Sequence, residues 1–416
     1  MIRSHKIRLR PTEKQKQHLM RAFAASRYAW NWGKEILDAE YHISRVQYRE
    51  TGEKYKFTHA RELKKLFNKQ KPDWIKDKTA SATQEAFDDL QRGIQRYFNI
   101  QKGKIKINLK HQDEYRKDGM RHGWLNWRSK KKHNSFRVTN IYLKFDGPNI
   151  RYNANVGFIR MCETLRFEGK IMNATLSYDG EWFWASVQVD IERSELEPKS
   201  GIVGIDLGIT YLAVTSDGLI QPNPKAYYQV QAKMRRMQRK LARQRQSNNP
   251  ECYNEDGTAK KGKRPLKKSN QMKRTEQKIK RTNSRIRDIR RNAQHQLTAK
   301  IARQYGLIVL EDLNVNGMLK NKKLAKAISD AGFSEIRRQF EYKADYHSAM
   351  VGVVDRWFPS SKLCSGCGDK KLDLNLNNRE WTCEHCGQQN ERDLNAAINL
   401  KKEGIQLFVN PDYNRP

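Results

Sequence analysis

The spacing of the apolar residues changes along the chain, and this pattern limits the possible folds more than any other feature of the sequence. Residues 11 to about 108 show helical spacing, with apolar side chains at Leu19, Phe23, Phe87, Leu90, Ile94 and Phe98. From about 135 to 195 the period falls to two, and short apolar runs are separated by turn residues such as Asp146-Gly147-Pro148. The second pattern predicts a small antiparallel barrel.

The part of the chain after residue 198 alternates between predicted strands and predicted helices. Apolar runs at Ile202 to Ile209, Tyr211 to Thr215 and Leu307 to Leu310 indicate strands. Between them lies a long basic stretch with two helical stripes, joined by a connector at 248–262. The stripes are Val230, Met234, Met237 and Leu241, and Ile279, Ile286, Ala293 and Leu297. The chain has 416 residues, which exceeds the usual size of a single domain. Its length and these patterns together predict a multidomain α+β protein.

The charge balance is strongly one-sided. The chain carries 82 Lys and Arg residues against 46 Asp and Glu residues, a formal charge of +36. Self-repulsion of this size indicates a polyanionic partner, and nucleic acid is the natural one. For the basic helical hairpin, the alternative is a merely solvated surface. No stretch approaches the roughly 18 consecutive apolar residues of a spanning helix, and no signal-peptide core is present. We therefore expect a protein of the prokaryotic cytoplasm or nucleoid without a membrane partner.

Four of the six cysteines form two close pairs, Cys364-x-x-Cys367 and Cys383-x-x-Cys386. Two such turns present four thiolates to one tetrahedral Zn²⁺ at about 2.3 Å, and a complete shell leaves no position for water. The predicted zinc is therefore structural. His385 lies inside the second turn, but the four cysteines already fill the shell. Unligated core or redox cysteines are the other alternative.

Three acids stand at the edges of apolar segments, in the motifs GIDLGIT (204–210), LIVLEDLN (307–314) and RDLNAA (392–397). Converging carboxylates repel one another unless a cation compensates them. Two Mg²⁺ ions about 3.5–4 Å apart, with Mn²⁺ as a substitute, would resolve the repulsion and support phosphodiester hydrolysis. We predict that Asp206, Glu311 and Asp393 form this site. Each acid alone also suits a turn, a strand end or a helix cap, and Asp312 competes with Glu311.

Together, the three acidic motifs and the cysteine pairs resemble the TnpB (OrfB) family of insertion-sequence proteins, which is related to compact type V CRISPR effectors. The segments SDAGFSEIRRQFEYKADYH (329–347) and WFPSSKLCSGCG (357–368) also look like family signatures. The resemblance implies a RuvC nuclease domain of RNase H-like fold at 198–362 and 387–416, interrupted by a target-nucleic-acid-binding zinc ribbon at 363–386. It also implies a wedge β-barrel at 1–9 and 109–197, with a helical recognition lobe at 10–108.

The family activity implied by this resemblance is RNA-guided cleavage of double-stranded DNA beside a short flanking motif. The guide RNA would come from the element's own end and pair with the target, while the protein reads the flank and the heteroduplex shape. Asp206, Glu311 and Asp393 would then be the catalytic acids. We expect a monomer with one RNA rather than a dimer. The alternatives are a cleavage-inactive guided repressor, a strand-transfer transposase and a CRISPR-associated effector.

The resemblance is weakest near the predicted nucleic-acid contacts. The family pattern Gly-x-Pro-x-Phe-Lys stands here as GWLNWR (123–128), residues 100–122 are longer than usual, and Asn390 replaces a frequent His. Gln84 is a candidate reader of the flanking motif, with a surface glutamine as the alternative. Trp124 and Trp127, beside Arg128, could stack on nucleotides or pack in the core.

Overall fold

The computed structural model describes residues 1–76, 80–105, 123–192, 199–262, 267–374 and 378–409. The chain divides into two compact units, Met1–Ser194 and Glu195–Pro416. Both combine helices with a β-sheet, which confirms the mixed α/β character predicted from the sequence. The predicted domain boundaries near 109 and 197 lie outside the described residues.

The helices of the first unit form the segment that the sequence predicted as helical. They are α1 (Glu13–Thr51), α2 (Ala60–Gln70), α3 (Asp73–Lys76) and α4 (Ala80–Gln101). α1 begins with a capping box, because the Thr12 hydroxyl accepts a hydrogen bond from the Gln15 backbone while the Gln15 side chain accepts one from the Thr12 backbone. Aromatic residues of α1, α2 and α4, among them Trp30, Phe67 and Phe87, pack into one helical core.

The strands of the first unit form one antiparallel sheet. They are β1 (Ile2–Arg10), β2 (Ser135–Thr139), β3 (Lys144–Asp146), β4 (Asn149–Arg151), β5 (Ile159–Met161), β6 (Lys170–Tyr178) and β7 (Phe183–Asp190). Their order is β2-β6-β7-β1-β5-β4-β3, so the N-terminal strand lies between strands that follow it by more than a hundred residues. In the described part of the chain, β2 and β3 are edges that do not pair with each other. Closure into the predicted barrel therefore stays a prediction.

One face of this sheet is buried because apolar residues alternate along its strands. In β7 the buried positions are Phe183, Ala185, Val187 and Val189. They pack with Leu19 and Phe23 from the N-terminal half of α1. The sheet and the helices of this unit thus share α1 as a common support.

The second unit is built on a mixed five-stranded sheet. Its strands are β8 (Ile202–Asp206), β9 (Tyr211–Thr215), β10 (Ile220–Pro222), β11 (Leu307–Glu311) and β12 (Met350–Val354), in the order β10-β9-β8-β11-β12. The first three are antiparallel neighbours, whereas β11 is parallel to both β8 and β12. A separate hairpin of β13 (Glu380–Thr382) and β14 (Gln389–Glu391) precedes the last helix and holds the second cysteine pair, Cys383 and Cys386, in its turn. This hairpin extends past residue 386, where the zinc ribbon was predicted to end.

Helices cover both faces of the mixed sheet. They are α5 (Ala226–Asn248), α6 (Asn270–Gln304), α7 (Val315–Met318), α8 (Ala325–Ala331), α9 (Phe333–Tyr346) and α10 (Arg392–Phe408). α6, α8 and α9 pack on one face through residues such as Leu297, Ile328 and Phe340, and Leu400 of α10 packs on the other. α5 and α6 form the predicted hairpin, in which Met234 and Ile286 are buried. Its basic side chains, including Arg235, Arg239 and Arg285, are exposed.

No helix in the described ranges is both long and apolar enough to span a membrane.

Candidate active site and metal centre

Asp206 and Glu311 end two neighbouring parallel strands. The register of β8 and β11 pairs Ile205 with Leu310, so the two acids follow paired residues at the same edge of the sheet. The apolar residues that precede each acid are buried in the sheet core, which fixes where each strand ends. The strand-end acids predicted from the sequence are therefore neighbours.

Asp393 reaches the same edge from the first turn of α10. This helix lies directly on β8, and a Cβ atom added to Gly204 would stand 2.1 Å from the Ala397 carbonyl oxygen. Asp393 is one helical turn before Ala397, and Asp206 is two residues after Gly204. The close approach of backbone to backbone therefore brings the third predicted acid to the other two.

The electrostatics of the three acids reflect their proximity. Burial, and after it the nearby carboxylates of Asp393 and Glu311, raises the pKa of Asp206 to about 7. Burial also raises the pKa of Glu311, with a contribution from Asp312. In the metal-free protein, the negative charge of Asp206 is thus strongly disfavoured at this edge.

Two arginines neutralise Asp393, and neither was predicted from the sequence. Arg379 Nη1 donates to both carboxylate oxygens at 2.8 and 3.1 Å, and Arg392 donates to Oδ1 from Nε at 3.2 Å and Nη2 at 3.0 Å. Arg379 also donates to the Thr210 hydroxyl at 2.8 Å. Arg392 directly precedes Asp393 in the sequence, which is a usable signal, whereas the position of Arg379 between the cysteine pairs gave none.

Asp312, the competitor of Glu311, has a different environment. Its carboxylate pairs with Arg356 and with Arg337, the latter at 2.8 Å. The hydrogen bond from Arg356, and after it the one from Arg337, lowers the pKa of Asp312. An acid already held by two guanidinium groups is a poorer cation ligand than Glu311, which supports the choice of Glu311.

The three acids have the donor chemistry for hard divalent cations, because carboxylate oxygen is the preferred protein ligand of Mg²⁺. Their oxygens do not all lie within 4.8 Å of one another, since the only such group among the described residues is the cysteine cluster. The acids thus provide suitable ligand atoms for divalent cations, in a less compact arrangement than the cysteine cluster.

The four predicted cysteines come together in one cluster. The ligand atoms of Cys364, Cys367, Cys383 and Cys386 all lie within 4.8 Å of one another, with Sγ–Sγ distances of 3.6 Å for Cys364–Cys386 and 3.7 Å for Cys367–Cys383. A tetrahedral ion at about 2.3 Å from each sulfur requires nearly this spacing. The cluster can therefore hold a metal such as zinc. His385 is exposed and does not belong to it.

Asparagines of the RDLNAAIN motif attach this cluster to α10. Asn395 accepts a hydrogen bond from the Ser365 backbone at 2.7 Å and donates to the Leu363 carbonyl at 2.6 Å, and Asn399 donates to Leu363 at 2.7 Å. Asn390, in the place of the family histidine, donates to the Cys364 sulfur at 3.7 Å. The cysteine turn and the helix that carries Asp393 are thus held together.

The residues of the first unit that were predicted to contact nucleic acid differ in their exposure and in their partners. Trp124 is 1% exposed and packs in the helical core, where its Nε1 donates a hydrogen bond to Asp38. Of the two alternatives given for Trp124, core packing is therefore the one observed. Trp127 is half exposed. Arg128 stacks on the Trp30 ring at 3.9 Å and pairs with Asp89. Gln84 is half-buried on α4.

Comparisons with known proteins cover most of this architecture. A family model described as a probable transposase of the OrfB type matches residues 186–322, and a Cas12f1-like TNB domain model matches residues 333–400. A helix-turn-helix model of the same OrfB type matches residues 1–44. The predicted resemblance to the OrfB family is confirmed. In this structure, residues 1–44 form β1 and part of α1 rather than two helices joined by a turn.

Three curated relatives of this chain are each named as a putative RNA-guided DNA endonuclease. A protein of Streptomyces pristinaespiralis, named "Putative RNA-guided DNA endonuclease", is 37% identical over 58% of this chain and 55% of its own length. The similarly named InsQ of Escherichia coli (strain K12) is 26% identical over 98% of this chain and 94% of its own length. The similarly named Rv2885c of Mycobacterium tuberculosis is 28% identical over 96% and 86%. The chain thus spans about half of the first relative and most of the other two.

Solved structures of CRISPR effectors also align with nearly the whole chain. A Cas12f1–sgRNA–target DNA complex aligns with 96% of this chain and 99% of its own at 13% identity, with a TM-score of 0.34. CasPhi-2 (Cas12j) bound to crRNA aligns with 97% and 98% at 12% identity, with a TM-score of 0.39. These TM-scores are too low to support an argument about fold or function.

The raised pKa of Asp206 predicts a pH-dependent effect of Asp206→Asn. The folded-state pKa of about 7 exceeds the usual value of about 3.9, so the stability contributed by protonated Asp206 is present at low pH and lost as the pH rises through 7. Asn stays neutral at every pH. In protein free of Mg²⁺ and Mn²⁺, we expect the variant to gain about 2 kcal/mol relative to the wild type between pH 5 and pH 8, measured by thermal or urea unfolding.

The matched control for this comparison is Asp288→Asn, which removes an acid 63% exposed on α6. Its stability relative to the wild type should change little over the same pH range. A difference between Asp206→Asn and the wild type that stays constant from pH 5 to pH 8 would contradict the shifted pKa.

The cysteine cluster predicts one tightly bound zinc ion per chain. We expect Cys383→Ser to lose this zinc by elemental analysis and to lower Tm by roughly 5 °C or more, because a structural metal contributes directly to folding. His385→Ala, in the same turn, should keep one zinc and the wild-type Tm. Zinc retained in Cys383→Ser, or lost in His385→Ala, would show that the ligand set is wrong.

Proposed function

We propose that this chain is an RNA-guided DNA endonuclease that hydrolyses phosphodiester bonds at Asp206, Glu311 and Asp393. The observation that carries the proposal is the meeting of these acids at one sheet edge, two from parallel strand ends and one from the helix packed on β8. Relatives that share nearly the full chain length are named as RNA-guided DNA endonucleases, which supports the same activity.

We assign the mixed sheet of the second unit to a RuvC-type, RNase H-like nuclease domain. Its strand order, written from the first strand of the sheet, is 3-2-1-4-5, with the first three strands antiparallel and the last two parallel. In this arrangement the first and fourth strands are neighbours, and both end in an acid. The same assignment makes the cysteine cluster a zinc ribbon inserted before α10. Ligands at the carboxyl ends of parallel strands are common in such sheets.

The metal ions of this proposal are Mg²⁺, with Mn²⁺ as a substitute. Asp206, Glu311 and Asp393 would hold them, and bound ions would activate water and stabilise the leaving oxygen of a phosphodiester. The raised pKa of Asp206 shows that its ionised form lacks compensating charge in the metal-free site. A bound cation would supply that positive charge and keep the carboxylates ionised, which supports this assignment. Arg379 and Arg392 supply positive charge to Asp393 in the metal-free protein.

The partners of this proposal are a guide RNA and a target DNA duplex. The exposed basic side chains of the α5–α6 hairpin provide phosphate contacts, which suits the formal charge of +36. We further assign the sheet of the first unit to a wedge domain and its helices to a recognition lobe. Of the predicted contacts in this unit, Gln84 and Trp127 have accessible side chains, whereas Trp124 supports the fold.

Strand transfer is the second candidate, because the matched OrfB model is described as a probable transposase. Both chemistries use the same type of acidic site, so the site alone does not separate them. Their products differ, since hydrolysis leaves free ends and strand transfer joins ends to a new target.

The test is a cleavage assay with the full chain and the RNA that co-purifies from cells containing its native flanking DNA. We expect Mg²⁺-dependent double-strand cleavage of a plasmid that matches the guide and carries a flanking motif. Asp206→Ala should reduce the rate by at least about a hundredfold, because it removes a metal ligand. Asp288→Ala, which removes an exposed acid on α6, should cut at the wild-type rate.

The outcomes separate the candidates. Target binding without cleavage by the wild-type protein, with either Mg²⁺ or Mn²⁺, would identify a guided repressor. Joined products would identify strand transfer. Absence of any co-purified RNA would contradict the RNA-guided assignment itself.

A further inference from the structure

Trp357 has the highest exposed fraction among the large apolar side chains that the structure describes. It is 84% exposed, whereas most tryptophans of this chain are buried or half-buried. Exposure of a whole indole to water is unfavourable, because a large aromatic side chain gains free energy when its apolar surface is covered. A ligand that covers this ring would recover that free energy.

The backbone around Trp357 is fixed although its ring is not covered. The Trp357 backbone amide donates to Asp355 Oδ1 at 2.8 Å, and the Phe358 amide donates to the Asp355 carbonyl at 3.1 Å. The next side chain, Phe358, packs against the core formed by Leu307, Val309, Val354 and Leu400. The indole is therefore held on a short turn with anchored neighbours, and little ordering is needed before a ligand binds.

The same turn adjoins the acidic edge of the sheet. β12 ends at Val354, which pairs with Glu311, and the Asp312 amide donates to the Val354 carbonyl at 3.0 Å. Two residues further along, Arg356 pairs with Asp312 and lines a cavity of about 320 Å³ together with Glu311 and Arg337. Trp357 directly follows Arg356 in the chain. It thus lies beside the site proposed to cleave DNA.

We propose that Trp357 is a positioning residue that stacks on an unpaired base of the DNA strand beside the cleaved phosphodiester. This inference rests on the proposed function. An indole face stacks on any base, so it can hold a strand whose sequence is set by the guide and not by the protein. Arg356 and Arg337 are 42% and 40% exposed and have five N–H donors each, so donors remain for phosphate beyond those that Asp312 accepts.

A nucleic-acid base suits this surface better than a protein partner. The side chains beside Trp357 are charged, since Asp355 and Arg356 are both exposed. Protein interfaces bury a contiguous apolar core, and charged residues are depleted there. Met350, the other highly exposed apolar residue of this region, lies at the opposite end of β12. An exposed aromatic ring next to a basic side chain, here Arg356, is the arrangement found on platforms for single-stranded nucleic acid.

The test uses the full chain with Asp206→Asn to prevent cleavage, and a short single-stranded DNA that contains 2-aminopurine, whose fluorescence is quenched by stacking. Measured at about 0.5 M salt, which screens the exposed phosphate contacts, the wild-type Trp357 should quench the probe. Trp357→Ala should weaken binding by about fivefold or more, the lower limit for one stacked base. Trp357→Phe should restore most of the quenching, which a purely structural role would not require.

Met350→Ala is the matched control, because it removes an exposed apolar side chain from the far end of the same strand. It should leave the affinity and the quenching unchanged. Equal quenching in Trp357→Ala and wild-type protein would overturn the proposal, as would Trp357-dependent quenching with an RNA probe but not with DNA. Cleavage by the wild-type protein together with unaffected quenching in Trp357→Ala would refute the stacking role alone. Trp357-dependent quenching in the Asp206→Asn protein, together with wild-type protein that never cleaves in the guided assay, would refute the proposed function alone.

Discussion

The close packing of α10 on β8 is the contact on which the acidic site depends. At Gly204 there is no room for a side chain, since a Cβ atom would lie 2.1 Å from the Ala397 carbonyl and 2.5 Å from the Lys401 amide nitrogen. This backbone contact brings the first turn of α10 to the ends of β8 and β11. Close packing therefore requires a glycine at position 204, the first residue of the GIDLGIT motif. This packing in turn sets the position of Asp393.

The same helix, α10, holds the cysteine cluster through hydrogen bonds and carries Asp393 of the acidic site. Asn395 and Asn399 bind the backbone around Leu363, and Arg379 connects the segment between the cysteine pairs to Asp393. A metal bound by the cysteines would therefore stabilise the helix that carries Asp393, one of the proposed catalytic acids. The two centres have distinct chemistry, since soft thiolates select zinc and hard carboxylates select magnesium. The proposed function thus separates structural support and hydrolysis between two different metals.

The sequence predicted those features that depend on local pattern. The strand end at Glu311, the helix after Asp393, the cysteine cluster and the helical hairpin all follow from periodicity and spacing. The first strand of this unit ends at Asp206, three residues before the predicted end at Ile209. Contacts between distant segments were not predictable in this way. Trp124 was a candidate for stacking because it stands among basic residues, yet it is buried against Tyr41 of α1 and Tyr97 of α4. Arg379 and the anchored turn at Trp357 likewise depend on tertiary structure, which no local motif encodes.

The proposed function requires that Asp206, Glu311 and Asp393 jointly bind divalent cations. A crystal structure of the full chain grown with Mn²⁺ tests this directly, because anomalous scattering locates the metal independently of the protein. We expect two Mn²⁺ peaks, about 3.5–4 Å apart, within coordination distance of the three carboxylates, and their absence in Asp206→Asn. A map with no Mn²⁺ at these acids, while Arg379 still pairs with Asp393, would contradict joint metal binding.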